Sequence, residues 1–278
     1  MKKIAVLGSS GQIGSHLVEY LNSNGHNAIG YDWVIGNNTT HKRNLGNIHH
    51  FNKDTIYDYD FVFFLAFDVG GSRYLKKYQG TYDFIDNNVK LMSNVFETLK
   101  HTKVPVIFTS SQMSNMTYSP YGLLKSLGEL YTKTLNGITV KFWNVYGIEH
   151  DLERSHVITD FVLKAKNEGE IDMLTDGTEV RQFLYADDCC ECLEQLMIKY
   201  DDIDRDVPLH ITNFEWNSIL EVAEIIADHF PGCKVSPSDV KDMVQRDKRN
   251  EPDEYIKQFW NPKTSLAGGI KKIVNHYE

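Results

Sequence analysis

The chain has 278 residues, 41% of them hydrophobic and 24% charged, the make-up of a globular protein with room for a sizeable core. Lysine and arginine number 29 against 38 aspartate and glutamate, and the resulting net charge of −9 speaks against a broad nucleic-acid or anionic-membrane surface. Four cysteines, three of them crowded at 189, 190 and 192, give neither a disulfide framework nor a metal-ligand spacing. Reduced thiols, no metal and a cytoplasmic location are therefore expected, and no apolar run reaches the length of a membrane span.

The elements then follow in order. A short apolar run at 4–7 breaks into glycines at 8, 11 and 14 and opens into an amphipathic segment from 16 to 21, which reads as strand, tight turn and helix. A second strand at 28–31 ends in Asp32, and 36–50 is polar and irregular. The continuous apolar run at 61–66 marks a strand buried on both faces of a parallel sheet, with a loop over 66–72 at its carboxyl end. A helix through 87–99 is apolar at 89, 92, 95, 96 and 99, and another buried strand, 104–108, ends in Thr109, Ser110 and Ser111. From Ser119 and Pro120 a helix is predicted to about 134, with Leu123, Leu124, Leu127, Leu130 and Tyr131 on its inner face. A strand follows at 138–143, then a helix at 152–166, a short strand at 183–185, a helix at 186–200 and a strand at 209–211. Ser218 and Glu221 form a capping pattern ahead of a helix to 230, and 239–254 reads as a charged surface arm. Strand and helix alternate, so an α/β fold of the Rossmann type is expected, a doubly wound parallel sheet with a smaller substrate-binding α/β region towards the C-terminus. Residues 1–147, joined by roughly 181–212, would form the dinucleotide-binding domain, and 148–180 with 213–278 the substrate-binding region.

Two constellations carry chemistry. In the first, Gly8 permits a tight turn, Gly11 lets the backbone approach a ligand, and Gly14 lets helix and strand pack closely, so that helix N–H groups face a phosphate. Asp32, at the end of the second strand, suits a ribose 2′-hydroxyl and would repel a 2′-phosphate, which points to NAD rather than NADP. In the second, Tyr121 and Lys125 stand one helical turn apart on a single face, after Ser111 at a strand end. An ammonium beside a phenol favours the phenolate and lowers its pKa, and the serine can hydrogen-bond the substrate oxygen that gains or loses the proton.

Together with Leu65 and Ala66, Asn88, the run 144–147, the run 181–188 and the tail at 249–253 and 260–269, these motifs resemble the extended short-chain dehydrogenase/reductases, the NAD-dependent nucleotide-sugar epimerase/dehydratase family. The resemblance covers nearly the whole chain. It implies an NAD cofactor held by Gly8, Ser10, Gly11, Gln12, Ile13, Gly14, Asp32, Leu65, Ala66, Asn88, Tyr121 and Lys125. It implies oxidation of a sugar hydroxyl, or reduction of the corresponding keto group, by Ser111, Tyr121 and Lys125, and a nucleotide diphosphate held by Asn144 and Arg181, the latter otherwise a surface salt bridge. The runs 68–71, 151–158 and 177–183 are most similar to the GDP-fucose synthase and GDP-mannose 3,5-epimerase branches and so imply a GDP-sugar. Substrate contacts would come from Val69, Gly70, Ser111, Gln112, Met113, Asn144, His156, Val157, Arg181 and Arg249. His156 would act on the sugar as an acid or hydrogen-bond donor, or be structural. Family members often form dimers or tetramers through the two helices flanking the active site.

Departures from the family pattern narrow the chemistry. The GDP-sugar epimerases carry a cysteine base two residues after the catalytic serine, and the 4,6-dehydratases an Asp-Glu pair directly after it. Here those places hold Gln112 and Met113, and neither side chain ionises. The expectation is an NAD(H)-dependent 4-dehydrogenase or 4-ketoreductase acting on a GDP-linked hexose or heptose of surface-polysaccharide synthesis. A 4-epimerase is the alternative within the enzyme class, and a non-catalytic dinucleotide-binding regulatory protein the alternative outside it.

Overall fold

In the computed structural model, residues 1–152, 155–242 and 250–277 are described. Their strands are β1 (Lys3–Leu7), β2 (Asn27–Asp32), β3 (His41–Lys42), β4 (Phe61–Phe64), β5 (Val106–Ser111), β6 (Ile138–Phe142), β7 (Asn144–Tyr146), β8 (Glu170–Asp172), β9 (Val180–Arg181), β10 (Phe183–Tyr185), β11 (Leu209–Ile211), β12 (Asn217–Ser218) and β13 (Lys234–Ser236). Their α-helices are α1 (Gln12–Ser23), α2 (Lys53–Ile56), α3 (Ser72–Tyr78), α4 (Tyr82–Thr102), α5 (Pro120–Thr134), α6 (Val157–Glu168), α7 (Ala186–Ile198), α8 (Ile219–Ala227) and α9 (Leu266–Tyr277).

Seven strands form one parallel sheet in the order β11-β6-β5-β4-β1-β2-β3, a Rossmann-like arrangement. The strand order reverses between β1 and β4, and the carboxyl ends of these two strands bound the crevice where such sheets bind ligands. One face is covered by α1 and α7, whose Leu17, Leu21, Cys189, Cys192 and Leu193 are fully buried against Ile4, Val6 and Phe63. On the other face, α4 and α5 bring Met92, Val95, Phe96 and Leu124 against Leu7, Phe64 and Phe108. Each fully buried aliphatic or aromatic side chain contributes about 1.5–3 kcal/mol, which makes these faces the main stabilising term. A third cluster joins α6, α8 and α9 to Phe183, Tyr185 and Tyr146. Among the described residues no helix is long and apolar enough to cross a membrane.

Three local expectations change. The irregular stretch after β2 contains the two-residue β3, which pairs with Tyr31 and Asp32 and extends the sheet. Helix α6 starts at Val157 rather than near 152, with Glu149 rather than its own N-cap side chain engaging the start. On α5 only Leu124 of the five expected inner residues is buried. Leu123, Leu127, Leu130 and Tyr131 are 36–63% exposed, as are Ile85 and Val89 on α4 at 39%. The inner face of α5 is built instead from Tyr121, Gly122, Lys125 and Gly128, because small residues let the helix lie close on β5. A Cβ on Gly128 would come within 2.3 Å of the Phe108 ring.

Candidate active site

The turn between β1 and α1 shows which glycine serves what. Gly8 has φ +95, and a Cβ there would stand 2.6 Å from the Ala66 amide nitrogen, so backbone angle and crowding both require glycine. A Cβ on Gly14 would stand 2.0 Å from the Gly8 carbonyl oxygen. Gly11 differs: it is extended, and its missing Cβ would meet only the Gly8 oxygen, at 3.4 Å. The fold does not require glycine at that position. The space above it, at a helix N-terminus that no side chain caps, is the cradle a dinucleotide pyrophosphate needs. Asp32 closes the other end, with one carboxylate oxygen accepting from the Ser10 amide at 2.9 Å and the other from the Val34 amide at 3.3 Å. The residues therefore fit NAD. Ser10 turns its hydroxyl to Thr39 (2.6 Å) and to the Val34 carbonyl (3.0 Å), Gln12 reaches the Gly147 carbonyl (3.5 Å), and Ile13 packs into the core beneath.

Leu65 and Ala66 leave β4 half-buried beside Gly8. Asn88 works one step back. It is 0% exposed, accepts from the Asp68 amide at 2.7 Å, and donates to the Asp68 and Phe84 carbonyls at 3.2 and 2.9 Å. Its amide is thereby engaged in holding the loop after β4. Phe67 in that loop lies edge-on to Tyr121, ring centroids 5.6 Å apart.

Ser111, Tyr121 and Lys125 do come together. The Ser111 hydroxyl caps the short turn Gln112–Asn115 by accepting from the Met113 amide at 3.2 Å, and it lies beside the Tyr121 phenol, whose charged form it favours. Lys125 is 3% exposed, donates to the Thr109 carbonyl at 2.7 Å, and lies 3.9 Å from the centre of the Phe67 ring. Its ammonium stands 5.9 Å from the Tyr121 ring centre. The protonation pattern differs from the expected one. Burial pushes Tyr121 up to about 12, with Ser111 opposing, and burial pushes Lys125 down to about 7, with Glu129 opposing. Desolvation is the largest cause for both, and neither group counts the other among the causes of its shift, so the phenol keeps its proton and the lysine gives up its charge readily.

On the substrate side, Gln112 and Met113 are 4% exposed, Gln112 accepting from Asn250 through its carbonyl (2.7 Å) and its side chain (2.8 Å). Gly70 is buried and Val69 packs on the α4 side of the sheet. The 68–71 loop docks on the start of α6, where a Cβ on Gly71 would come 2.5 Å from the Ser155 carbonyl. There His156 Nδ1 meets the buried Glu149 carboxylate at 2.6 Å, and the His156 amide donates to the other oxygen at 2.9 Å. Burial raises Glu149, and the hydrogen bonds from His156 and Thr159 outweigh it, leaving the carboxyl below its usual range. An ionised carboxylate against Nδ1 favours the tautomer with its proton there, which leaves Nε2 as the ring's acceptor nitrogen. Val157 follows as the first residue of α6, half-buried against the third cluster. Asn144 is half-buried on β7, and Arg181, on β9, is ion-paired with Asp242 and donates to the Val180 carbonyl at 2.7 Å. Arg249 lies outside the described residues.

Glu149, Phe67 and Asn250 were not foreseen from the sequence. Each sits in a loop, where no periodicity or cap marks it.

Comparison with known proteins agrees with the fold. GDP-mannose 3,5-epimerase 1 of Oryza sativa subsp. indica is 26% identical over 97% of this chain and 80% of its own. Protein CapI of Staphylococcus aureus is 23% identical over 99% of this chain and 98% of its own. The solved structure of TunA, an NAD-dependent NDP-hexosamine 5,6-dehydratase of tunicamycin biosynthesis, superposes with a TM-score of 0.82 at 17% identity, covering 100% of this chain and 98% of that one. The sequence profile described as the NAD dependent epimerase/dehydratase family matches residues 4–211, and the chain therefore belongs to that family of NAD-dependent nucleotide-sugar enzymes.

Proposed function

We propose that the protein is an NAD(H)-dependent oxidoreductase acting at C4 of a nucleotide-linked sugar, a 4-dehydrogenase or 4-ketoreductase on a GDP-hexose or GDP-heptose. The observation that carries this reading is the meeting of Ser111, Tyr121 and Lys125 beside the loop that leaves β4, next to the Gly8 turn. NAD, when bound, supplies the hydride acceptor or, reduced, the donor. Tyr121 gives or takes the proton of the C4 oxygen, and a phenol that holds its proton as firmly as this one is suited to donate to a 4-keto oxygen. Ser111 hydrogen-bonds the same oxygen, Lys125 orients the nicotinamide ribose, and Asp32 takes the adenosine ribose hydroxyls. Arg181 and Asn144 hold the diphosphate, Arg181 exchanging its pairing with Asp242 for phosphate. Gln112 and Met113 offer no ionisable group from their turn. The likeness to a GDP-mannose epimerase supports a GDP-sugar, and surface-polysaccharide synthesis is proposed as its setting. The exposed apolar residues of α4 and α5 support a homo-oligomer built on that face.

The test is absorbance in the reduced-nicotinamide band of the purified protein while GDP-, UDP-, dTDP- and CDP-sugars are added in turn. A GDP-sugar should change the cofactor's redox state, and Tyr121→Phe should abolish the change while still binding NAD. If no nucleotide sugar moves hydride, the reading fails.

A further inference from the structure

Beneath the Ser111, Tyr121 and Lys125 constellation lies a polar network that the chemistry above does not use. Glu129 stands one helical turn beyond Lys125 on α5. One of its carboxylate oxygens accepts from the Ser110 hydroxyl at 2.5 Å, and the other meets the Lys141 ammonium at 3.4 Å. Lys141 comes up from β6 and also donates to the Ser114 hydroxyl at 3.0 Å and the Asn115 side-chain oxygen at 3.2 Å. Ser110 is 2% exposed, and the side chains of Lys141 and Glu129 are 11% and 23% exposed. The contacts fall on both sides of one residue. Ser110 precedes Ser111, and Ser114 and Asn115 end the turn that Ser111 caps.

We propose that Glu129 and Lys141 are positioning residues for the reaction: their ion pair braces β5 and the turn Gln112–Asn115 together, and so holds the Ser111 hydroxyl at its place against Tyr121. This rests on the proposed redox role of Ser111 and Tyr121. The physical reason is that a hydroxyl has no charge or bulk of its own to fix it. Ser111 is anchored within the turn by one amide of that same turn, so the turn must itself be fixed from outside. Removing one partner of a pair that is largely shielded from water leaves the other charge uncompensated, so the two side chains hold to each other and to the hydroxyls they bond. The charged and titratable groups facing the brace are Lys125 on α5, whose ammonium Glu129 favours, and His210 on β11, which burial and Lys141 push down to about 4. His210 is therefore neutral, and it accepts from the Trp143 indole at 3.0 Å.

The experiment compares wild type with Lys141→Met, Lys141→Arg, Glu129→Gln and the double variant Glu129→Gln/Lys141→Met, each as the full chain. Two readouts are taken: turnover of the active nucleotide sugar below the melting temperature, and amide hydrogen exchange over 110–116. A misplaced reacting group costs on the order of 100-fold in rate. The expected result for Lys141→Met is therefore a kcat lower by ~10–100-fold with KM within about threefold, and restoration by Lys141→Arg. The double variant should lose about as much as either single variant, since the two act as one unit. It also removes both charges, so it keeps the test open if a single variant leaves an unpaired buried charge and fails to fold. Exchange over 110–116 should quicken in Lys141→Met and the double variant and be restored in Lys141→Arg, and this holds whether or not any sugar is turned over. Unchanged exchange over 110–116 overturns the proposal by itself. A fall in melting temperature with kcat intact also overturns it, leaving the pair a stability feature.

Discussion

Replacing Lys125 with methionine should make the protein more stable while removing activity. The lysine is 3% exposed, and burial brings its ammonium from 10.5 to about 7, with Glu129 opposing. Between pH 7 and 10.5 the unfolded chain therefore binds a proton that the folded chain releases, so this residue lowers stability below pH 7 and the protein recovers as the pH climbs through that window. At ~1.4 kcal/mol per pH unit the cost at pH 6 is at most roughly 5 kcal/mol, of which roughly 2–3 kcal/mol is relieved by pH 9. Methionine forfeits the hydrogen bond to the Thr109 carbonyl and the cation over the Phe67 ring, together about 2 kcal/mol. The variant should gain about 2–3 kcal/mol at pH 6 and almost nothing at pH 9. Urea unfolding of the cofactor-free proteins, followed by the fluorescence of the four tryptophans at pH 6, 7.5 and 9, measures this. A stability difference between variant and wild type that is the same at every pH would refute the reasoning, because the linked proton would then be absent.

Three further outcomes follow from the geometry. Gly14→Ala, whose Cβ would press on the Gly8 carbonyl, should destabilise by about 3 kcal/mol or more, whereas Gly11→Ala should fold within about 1 kcal/mol of wild type yet bind NAD at least ~10-fold more weakly; denaturant midpoints and an NAD titration separate the two. Cys189, Cys190 and Cys192 are buried with their thiols pushed well up, so native protein should react with an aromatic disulfide reagent at the half-buried Cys233 alone, slowed there by a smaller upward push from burial, and at all four thiols once unfolded. Ser218→Ala removes the reciprocal cap in which Ser218 and Glu221 each bond the other's backbone amide, at 3.0 and 2.7 Å, and should lower unfolding free energy by about 1 kcal/mol with NAD binding unchanged.

What could be read from the sequence was what is written locally. The buried strand β4 announces itself as an unbroken apolar run and β5 by the apolar residues of its first half, α5 begins at the Ser119 and Pro120 signal, and α8 at its capping box, because each signal lies within a few residues of what it specifies. The two-residue β3 has no such signal and exists only through its pairing with β2. The outward turn of Leu127 and Leu130 was equally hidden, since apolar spacing on α5 fits two faces and glycines 122 and 128 decide which one meets the sheet. In the site, the serine, tyrosine and lysine were legible from spacing. Their protonation was not, because it depends on how dry the site is. Glu149 against His156, Lys141 against Glu129 and Asn250 against Gln112 join residues from different elements, and no pattern within one element predicts such a pair.

The late entry of β11 into the sheet has a consequence for synthesis. Strand β6 needs its outer neighbour from 209–211, and the chain between them passes through α6 and α7 before returning. A ribosome that has released only the first half of the protein has thus made a sheet with an open, hydrogen-bond-hungry border, ready to recruit any extended segment nearby. Truncations ending before residue 209 should be sticky in the cell for that reason, and the full chain should not, because its second half supplies the strand that seals the border.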